Sequence, residues 1–165
     1  MQQQLAITDA IVGGLFAPNQ FTPPSNSIPG TAISGQLPNS VLQHQYEKEY
    51  SQPGASNAAV ERKVVHVVHS ANGGTVVDFN VGARVAAIGG ATATWDLYKN
   101  GASILTGTIT LDNGTAAYVL KAGTLSATTL AQNDVLEVVV PAVAAGGGTL
   151  AQGLFATVTV RENTQ

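Results

Sequence analysis

Residues 91–112 decide the fold class, and they read ATATWDLYKNGASILTGTITLD. From residue 91 to residue 98, apolar residues occupy the odd positions and mainly polar residues the even ones. This period of two is typical of a strand with one buried face. The odd positions 105, 109 and 111 are also apolar. We therefore predict two antiparallel strands whose odd-numbered side chains face a common core.

The turn between these strands sets which residues lie opposite each other. A two-residue turn at Asn100-Gly101 pairs Leu97 with Ile104 and places odd positions opposite even ones. A three-residue loop that starts at residue 99, with a left-handed glycine in a bulge, instead pairs Trp95 with Leu105. Because this second arrangement keeps the apolar residues together, we favour the three-residue loop.

A third strand is predicted after the next turn. A two-residue turn at Asn113-Gly114 pairs Leu111 with Ala116 and Ile109 with Tyr118, which sets apolar residues opposite each other. We therefore expect Tyr118 to face inward in a strand over 115–121.

From Val60 onward, runs rich in Val, Thr and Ile alternate with clusters of Gly, Asn and Asp about every 8–12 residues, which is typical of an antiparallel sandwich or barrel. We predict an all-β, antiparallel two-sheet β-sandwich of about eight strands over residues 61–165. Its connections are jelly-roll or immunoglobulin-like, and the sequence leaves both open. The predicted strands lie near 62–69, 75–80, 83–88, 91–98, 103–111, 115–121, 135–140 and 154–161.

Residues 1–60 differ from the rest and are predicted to form an extended, Pro-rich N-terminal arm. Six of the seven prolines lie in the first 53 residues, and each proline favours extended backbone before it. A mobile terminus is one interpretation, but mobile linkers contain few large apolar residues, and this segment contains many. We therefore favour an arm that orders against its own oligomer or a partner. Its candidate partner contacts are Phe16, Phe21, Tyr46 and Tyr50.

The composition argues against several classes of protein. Only 10% of the 165 residues are charged, the net charge is −3, and there is no cysteine. A chain with seven basic and ten acidic residues has no basic surface for nucleic acid. The lack of cysteine excludes disulfides, zinc–thiolate sites and a cysteine nucleophile. We also expect no membrane-spanning segment, since residues 5–16 are too short and include an aspartate.

Histidines are the first candidates for chemistry, and His66 and His69 are three positions apart. The valines around them indicate a strand, on which this spacing places the two rings on opposite faces, so a shared metal is not expected. We expect one ring inside or at an interface and the other toward solvent. A buried neutral histidine and a pH-sensitive interface are both open.

No other pattern indicates catalysis. There is no G-x-S-x-G motif, and Asp78-Phe79-Asn80 offers too few oxygen ligands for calcium. We expect no catalytic residues, no metal, no cofactor and no enzymatic activity.

Several segments resemble the capsid decoration (cement) proteins of tailed bacteriophages. They are WDLYKNG at 95–101, TITLD at 108–112, TTLAQNDVLEV at 128–138 and GLFATVTV at 153–160. The resemblance covers residues 91–161 and does not include the arm. Where this family tends to have glycine, the chain has Asn133, which also tolerates a left-handed turn.

The resemblance implies a small β-sandwich that assembles, commonly as a homotrimer, on the outer face of an icosahedral head. There it would clamp subunits of the major capsid protein, after synthesis in the host cytoplasm. It carries over no catalytic residues, and the expectation of no nucleic-acid partner and no membrane partner comes from the composition. The alternative is a fibre-attachment or glycan- or receptor-binding module of a phage virion, with Tyr98 as its outward aromatic ring.

Overall fold

The structure is a computed structural model and describes residues 43–163. These residues form two antiparallel sheets of five strands each, without a helix in the described range, so the predicted all-β sandwich is confirmed. The strands are β1 (Gln43–Ser51), β2 (Glu61–Val67), β3 (Gly74–Val85), β4 (Thr92–Lys99), β5 (Ala102–Ser103), β6 (Ile109–Leu111), β7 (Lys121–Ala122), β8 (Thr129–Leu130), β9 (Val135–Ala144) and β10 (Gln152–Asn163).

Strands β1 to β4 alternate between the two sheets, β5 and β6 stay in the sheet of β4, and the remaining strands cross between the sheets again. The first sheet has the order β1-β10-β3-β7, with β8 also on β3, and the second has the order β2-β9-β4-β5, with β6 also on β4. If β5 with β6, and β7 with β8, each count as one interrupted strand, both sheets have four strands. The first strands of the chain then pair with the last. This nested pairing corresponds to a jelly-roll connection and decides between the two predicted alternatives.

The sandwich includes residues that the sequence assigned to the arm. Strand β1 pairs with β10 along its whole length, from Gln43 opposite Asn163 to Ser51 opposite Phe155. Residues 43–51 are therefore part of the first sheet. The rest of the predicted arm, residues 1–42, lies outside the described residues.

The core lies between the sheets and centres on the residues that the odd-position pattern identified. Trp95 and Leu97 of β4 are fully buried, as are Phe79 of β3 and Leu154 of β10. The ring of Tyr50 meets Trp95 edge-on, with the ring centroids 5.6 Å apart. These contacts join the edge strand β1 of one sheet to the centre of the other.

The three-residue loop predicted after β4 is wrong. Asn100 and Gly101 have φ values of 51° and 85°, and Tyr98 lies opposite Ser103. Two consecutive residues with positive φ are typical of a two-residue type I′ turn, whose twist matches that of the flanking strands.

The two-residue turn was disfavoured because it places odd positions opposite even ones. In the structure this mismatch is limited, because the returning strand is very short. Strand β5 ends at Ser103, and the chain leaves the sheet after the Ile104 N–H donates to the Leu97 carbonyl. It returns as β6, where Ile109 lies opposite Trp95. The break between β5 and β6 restores the pairing of odd with odd positions.

The strand predicted over 115–121 is also wrong. The turn after β6 exists, since the Thr115 N–H donates to the Asp112 carbonyl, but neither Asn113 nor Gly114 has positive φ. A type I′ hairpin needs both to be positive, so the chain does not fold back along β6. It crosses instead to the other sheet, where Lys121 lies opposite Val81.

The break predicted between residues 80 and 83 does not occur. Strand β3 continues from residue 74 to residue 85, with Gly82 buried in its middle. A side chain at this position would meet the ring of Phe155, because an added Cβ would lie 2.6 Å from its Cζ. Glycine therefore serves here to seat an aromatic ring on the outer face of the sheet.

Candidate contact surface

The described residues offer no obvious catalytic or metal centre. No group of three or more His, Cys, Asp or Glu side chains converges on a possible metal position within residues 43–163. Within the same range, no helix is long and apolar enough to cross a membrane. The remaining candidates are one buried polar cluster and the exposed surfaces.

The buried polar cluster contains one of the two candidate histidines. The register of β2 shifts between Val64 and His66, and this bulge turns the imidazole inward. His66 Nε2 lies 2.7 Å from Glu162 Oε1, and the other oxygen of Glu162 accepts from the Ser70 N–H at 3.0 Å. His69 lies beyond the end of β2 and is exposed. One histidine thus lies inside and the other toward solvent, as predicted.

Glu162 is ionised more easily than an ordinary glutamate. Burial by itself raises the pKa of this carboxyl, but the Ser70 N–H, the His66 ring and the His69 N–H together hold the pKa below its usual value. The folded state therefore prefers the carboxylate.

We expect acid to weaken the fold through this group. A carboxyl with a lowered folded pKa stabilises the protein above its ordinary value of 4.5, and this contribution is lost as the pH falls through the folded pKa. The test is the urea midpoint between pH 7 and pH 3. Asp134 and Glu137 also have lowered pKa values and add to the slope, so Glu162→Gln is the control. An equal slope in wild type and Glu162→Gln would contradict the assignment.

An apolar loop between the two sheets forms the most exposed hydrophobic segment. Tyr118, Val119 and Leu120 are 72%, 51% and 50% exposed. The loop is attached to β3, since the Tyr118 N–H donates to the Ala83 carbonyl at 2.9 Å. A second hydrogen bond, from the Val119 N–H to the Ala116 carbonyl, lies within the loop. Tyr118 has a φ of 61°, a conformation that is unusual for a bulky residue. Three adjacent exposed apolar side chains in a fixed conformation are typical of a contact surface.

A groove lies beside this loop on the outer face of the first sheet. Its volume is about 570 Å³. Its chemically distinct walls are the rings of Tyr118 and Phe155 and the exposed guanidinium of Arg84. The remaining lining residues are Glu49, Tyr50, Ser51, Ala156 and Thr157.

Glycines leave room for the side chains of Arg84 and Phe155. The Phe155 ring lies over Gly82, and the Arg84 side chain lies against Gly54 and Gly153. An added Cβ at Gly54 would lie 2.8 Å from Arg84 Nη1, and one at Gly153 would lie 3.0 Å from Arg84 Cδ. Gly153 also has a φ of 57°, so a side chain there is strained as well.

Arg84 differs from Arg62, Lys99 and Arg161 because its guanidinium has no bonded partner in residues 43–163, although the Glu49 carboxylate lines the same groove. Arg62 pairs with Glu137, and Lys99 lies 3.8 Å from Asp134. Arg161 donates to Gln45. Within the part of the chain that the structure describes, Arg84 makes no ion pair and no hydrogen bond.

The four contact residues predicted from the sequence have different outcomes. Phe16 and Phe21 lie outside the described residues. Tyr46 is 39% exposed, beside Lys48 and His66 at the open edge of the sandwich. Tyr50 is only 2% exposed and is a core residue, which corrects the prediction of a partner contact. Residues 46, 48 and 50 all face inward from β1, but only position 50 lies fully between the two sheets.

Sequence reasoning missed Tyr118, Val119, Leu120 and Arg84. The signal for the loop was present, since three consecutive apolar residues do not fit the period-two pattern of the predicted strand. No sequence signal marked Arg84, because its isolation depends on which carboxylates the fold brings near it.

Comparisons with known proteins do not show a family for this chain. No protein-family model matches the chain, and no curated protein matches it. Among solved structures, a chain of the cyanophage Pam1 capsid asymmetric unit is similar over 88% of this chain and 94% of that chain, with 12% identity and a TM-score of 0.49. A similarity of this size does not identify a family.

Proposed function

We propose that this protein is a structural virion protein without enzymatic activity. In this proposal it is a cement protein that binds the outer surface of an icosahedral phage head, contacts the major capsid protein and assembles as a homotrimer. The sequence resemblance over residues 91–161 supports the proposal. The observation that carries it is the exposed apolar loop at Tyr118, Val119 and Leu120, since a surface of this kind suits a flat protein contact and not a small-molecule site.

The loop suits a lattice-binding protein for energetic reasons. Covering half-exposed valine and leucine side chains contributes about 25 cal/mol for each Å² of apolar surface removed from water, so one loop gives only a weak contact. A trimer presents three loops at once, and the second and third contacts form at high effective concentration. A protein that binds only the assembled lattice then stabilises that lattice by mass action.

A binding experiment with heads that lack the protein tests the proposal. We expect the wild-type protein to sediment with its cognate heads and the Val119→Ser, Leu120→Ser double variant to bind at least about tenfold more weakly, which corresponds to 1.4 kcal/mol. Val64→Ser is the matched control, since Val64 is also 51% exposed but lies on β2. No sedimentation of the wild-type protein with the heads would refute the cement function. Equal binding of the double variant would refute the role of the loop.

The predicted contribution of the arm can be measured in the same experiment. The truncation should remove residues 1–42 only, because β1 begins at Gln43 and a deletion through residue 55 would also remove Tyr50 from the core. Loss of the arm is expected to weaken binding to heads while the unfolding midpoint of the body stays unchanged. Unchanged binding would exclude Phe16 and Phe21 as capsid contacts.

The rival proposal is a fibre-attachment or glycan-binding module, and jelly rolls occur in lectins as well as in capsid proteins. It depends on Tyr98 as an exposed ring. That ring is half-buried, and the Arg62 guanidinium lies 5.2 Å from its centroid. An aromatic platform for a sugar needs an open ring face, so this geometry favours the cement protein.

A further inference from the structure

The sequence contains three Asn-Gly dipeptides, at Asn72-Gly73, Asn100-Gly101 and Asn113-Gly114. This dipeptide deamidates readily, because glycine has no side chain to keep its backbone nitrogen away from the asparagine side chain. All three asparagines are exposed, and each lies in a turn. Exposure therefore does not separate the three sites, and the difference between them lies in how the fold holds the two reacting groups.

The side chain of Asn100 is held at both ends of its amide. Its Nδ2 donates to Asp134 Oδ1 at 2.6 Å, and its Oδ1 accepts from the Val135 N–H at 2.8 Å. The amide carbon can turn toward the Gly101 nitrogen only after these hydrogen bonds break, and each of them contributes to stability. The fold therefore protects Asn100.

At the first dipeptide the fold holds the glycine. The Gly73 N–H donates to the Ser70 carbonyl at 3.0 Å, and Gly73 is buried. It packs closely on backbone, since an added Cβ would collide with the Leu130 carbonyl oxygen. The carbonyl of Asn72 is also fixed, because it accepts from Asn163 Nδ2 at 2.8 Å. The Gly73 nitrogen therefore reaches the Asn72 side chain only after this loop opens.

Neither restraint acts at Asn113. Within residues 43–163 its side chain makes no hydrogen bond, and Gly114 is exposed. The Gly114 N–H donates to Asp112 Oδ1 at 3.1 Å, in the same turn. A carboxylate at this distance is within the reach of a general base, so it can also accept the proton that the nitrogen loses during attack.

We propose that Asn113 is a site of spontaneous deamidation in the folded protein and that Asn72 and Asn100 are protected. The Gly114 nitrogen forms a bond to Asn113 Cγ, and the bond from Cγ to the side-chain nitrogen breaks. The proton of the Gly114 N–H passes, through Asp112 or water, to the departing nitrogen, which leaves as ammonia. One water molecule then opens the cyclic succinimide at either C–N bond and leaves aspartate or isoaspartate at position 113.

The product changes the surface next to the apolar loop. Deamidation adds one negative charge to a chain with a formal net charge of −3, and it places this charge beside Asp112. Isoaspartate also lengthens the backbone inside the turn, which the Thr115 N–H closes on the Asp112 carbonyl at 3.0 Å. The chain leads from this turn to the exposed Tyr118, Val119 and Leu120. Aged protein is therefore expected to differ from fresh protein at the entry to this loop.

Peptide mass spectrometry of the purified full-length protein, incubated at mildly alkaline pH, measures all three sites at once. Trypsin places Asn100 and Asn113 in one peptide, residues 100–121, so fragment masses assign the conversion to one of the two. We expect Asn113 to convert at least about tenfold faster than Asn72 and Asn100, which corresponds to about 1.4 kcal/mol of activation free energy. In urea-denatured protein the three sites should convert at similar rates, because the hydrogen bonds that separate them are lost.

Gly114→Ala tests the chemical route. Alanine fits the turn, since φ at this position is not positive and the nearest neighbour of an added Cβ is Asp112 Oδ1 at 3.3 Å. Its methyl group obstructs the attacking nitrogen, so we expect conversion at Asn113 to slow about fivefold or more. Gly107→Ala is the matched control and should leave the rate unchanged, since an added Cβ there has no neighbour within 4 Å. An unchanged rate in Gly114→Ala would contradict attack by the backbone nitrogen.

Two further results would overturn the proposal. The first is conversion of Asn113 in the folded protein no faster than that of Asn72 or Asn100. The second is a difference among the three sites that persists in the denatured chain, since the local sequence and not the fold would then set the rates. The measurement needs no phage heads, so its outcome is independent of the proposed virion function.

Discussion

Replacing Tyr50 with alanine is expected to lower the free energy of unfolding by about 3–5 kcal/mol, the usual loss for a buried large aromatic side chain. Tyr50 is 2% exposed and meets Trp95 edge-on at 5.6 Å. Its hydroxyl donates to Glu61 at 2.6 Å and accepts from Gln52 Nε2 at 2.9 Å. Burial and the neighbouring Glu61 carboxylate raise the pKa of Tyr50, so the hydroxyl remains a donor. The variant loses ring contacts and leaves polar partners unsatisfied.

Tyr46→Ala is the matched control for this prediction, because Tyr46 faces the same way from the same strand but is 39% exposed. We expect it to cost less than about 1 kcal/mol, as for most partly exposed sites. Chemical denaturation of the two variants measures the difference. Similar losses in both would mean that Tyr50 does not hold β1 to the core.

Glu162→Ala is expected to lower the free energy of unfolding by about 2–4 kcal/mol, because each buried group that loses its hydrogen-bond acceptor costs about 1–3 kcal/mol. The carboxylate lies 2.7 Å from His66 Nε2. It accepts hydrogen bonds from the Ser70 N–H at 3.0 Å and from the His69 N–H at 3.4 Å. Alanine leaves all three of these groups without their acceptor in a part-buried position. The contacts cross from β10 to β2 and to the loop after β2, so their loss loosens one edge of the sandwich.

Glu162→Gln separates the charge from the hydrogen bonds. The amide keeps one acceptor oxygen, and we expect it to lose less stability than alanine and to remove the acid sensitivity assigned to this group. The double variant His66→Ala, Glu162→Ala should cost less than the sum of the single variants, because the two side chains interact directly. Strict additivity in this cycle would contradict the pairing.

The fold class could be predicted from the sequence because period-two alternation depends only on which face of a strand is buried. The pattern at Ala93, Trp95 and Leu97 identified a core face, and all three residues are buried. The jelly-roll connection could not be predicted in this way, since pairing between β1 and β10 joins residues more than 100 positions apart. Local patterns carry no information on contacts at that separation.

The predictions of the two turns were wrong for a different reason. At Asn100-Gly101 the prediction weighed only the facing of side chains, and it assumed that the returning strand continues, whereas β5 contains two residues. At Asn113-Gly114 the same dipeptide adopts a turn without positive φ, supported by Asp112, whose Oδ1 accepts from the Gly114 N–H at 3.1 Å. The hydrogen bond to the Asp112 carboxylate stabilises this turn in place of the type I′ hairpin conformation.

The candidate site was predictable only in part. Apolar residues in a segment with few charges indicated a contact function, and Tyr46 is exposed as that interpretation requires. Tyr50 carried the same sequence signal but lies between the sheets, because alternation alone does not reveal how far a strand overlaps the opposite sheet. The Tyr118 loop became a candidate only when the structure showed that no strand forms there.

The position of β10 has a consequence for how the protein folds. This strand lies between β1 and β3 in the first sheet, yet it follows every other strand in the chain. The first sheet therefore cannot be completed during synthesis until residues 152–163 have emerged, and β1 must wait for a partner more than 100 residues away. Pairings of such long range fold slowly, on a timescale of about milliseconds to seconds in small β domains. During this interval the edge of β1 and the apolar face of β3 remain uncovered, so low temperature and slow expression should favour soluble protein.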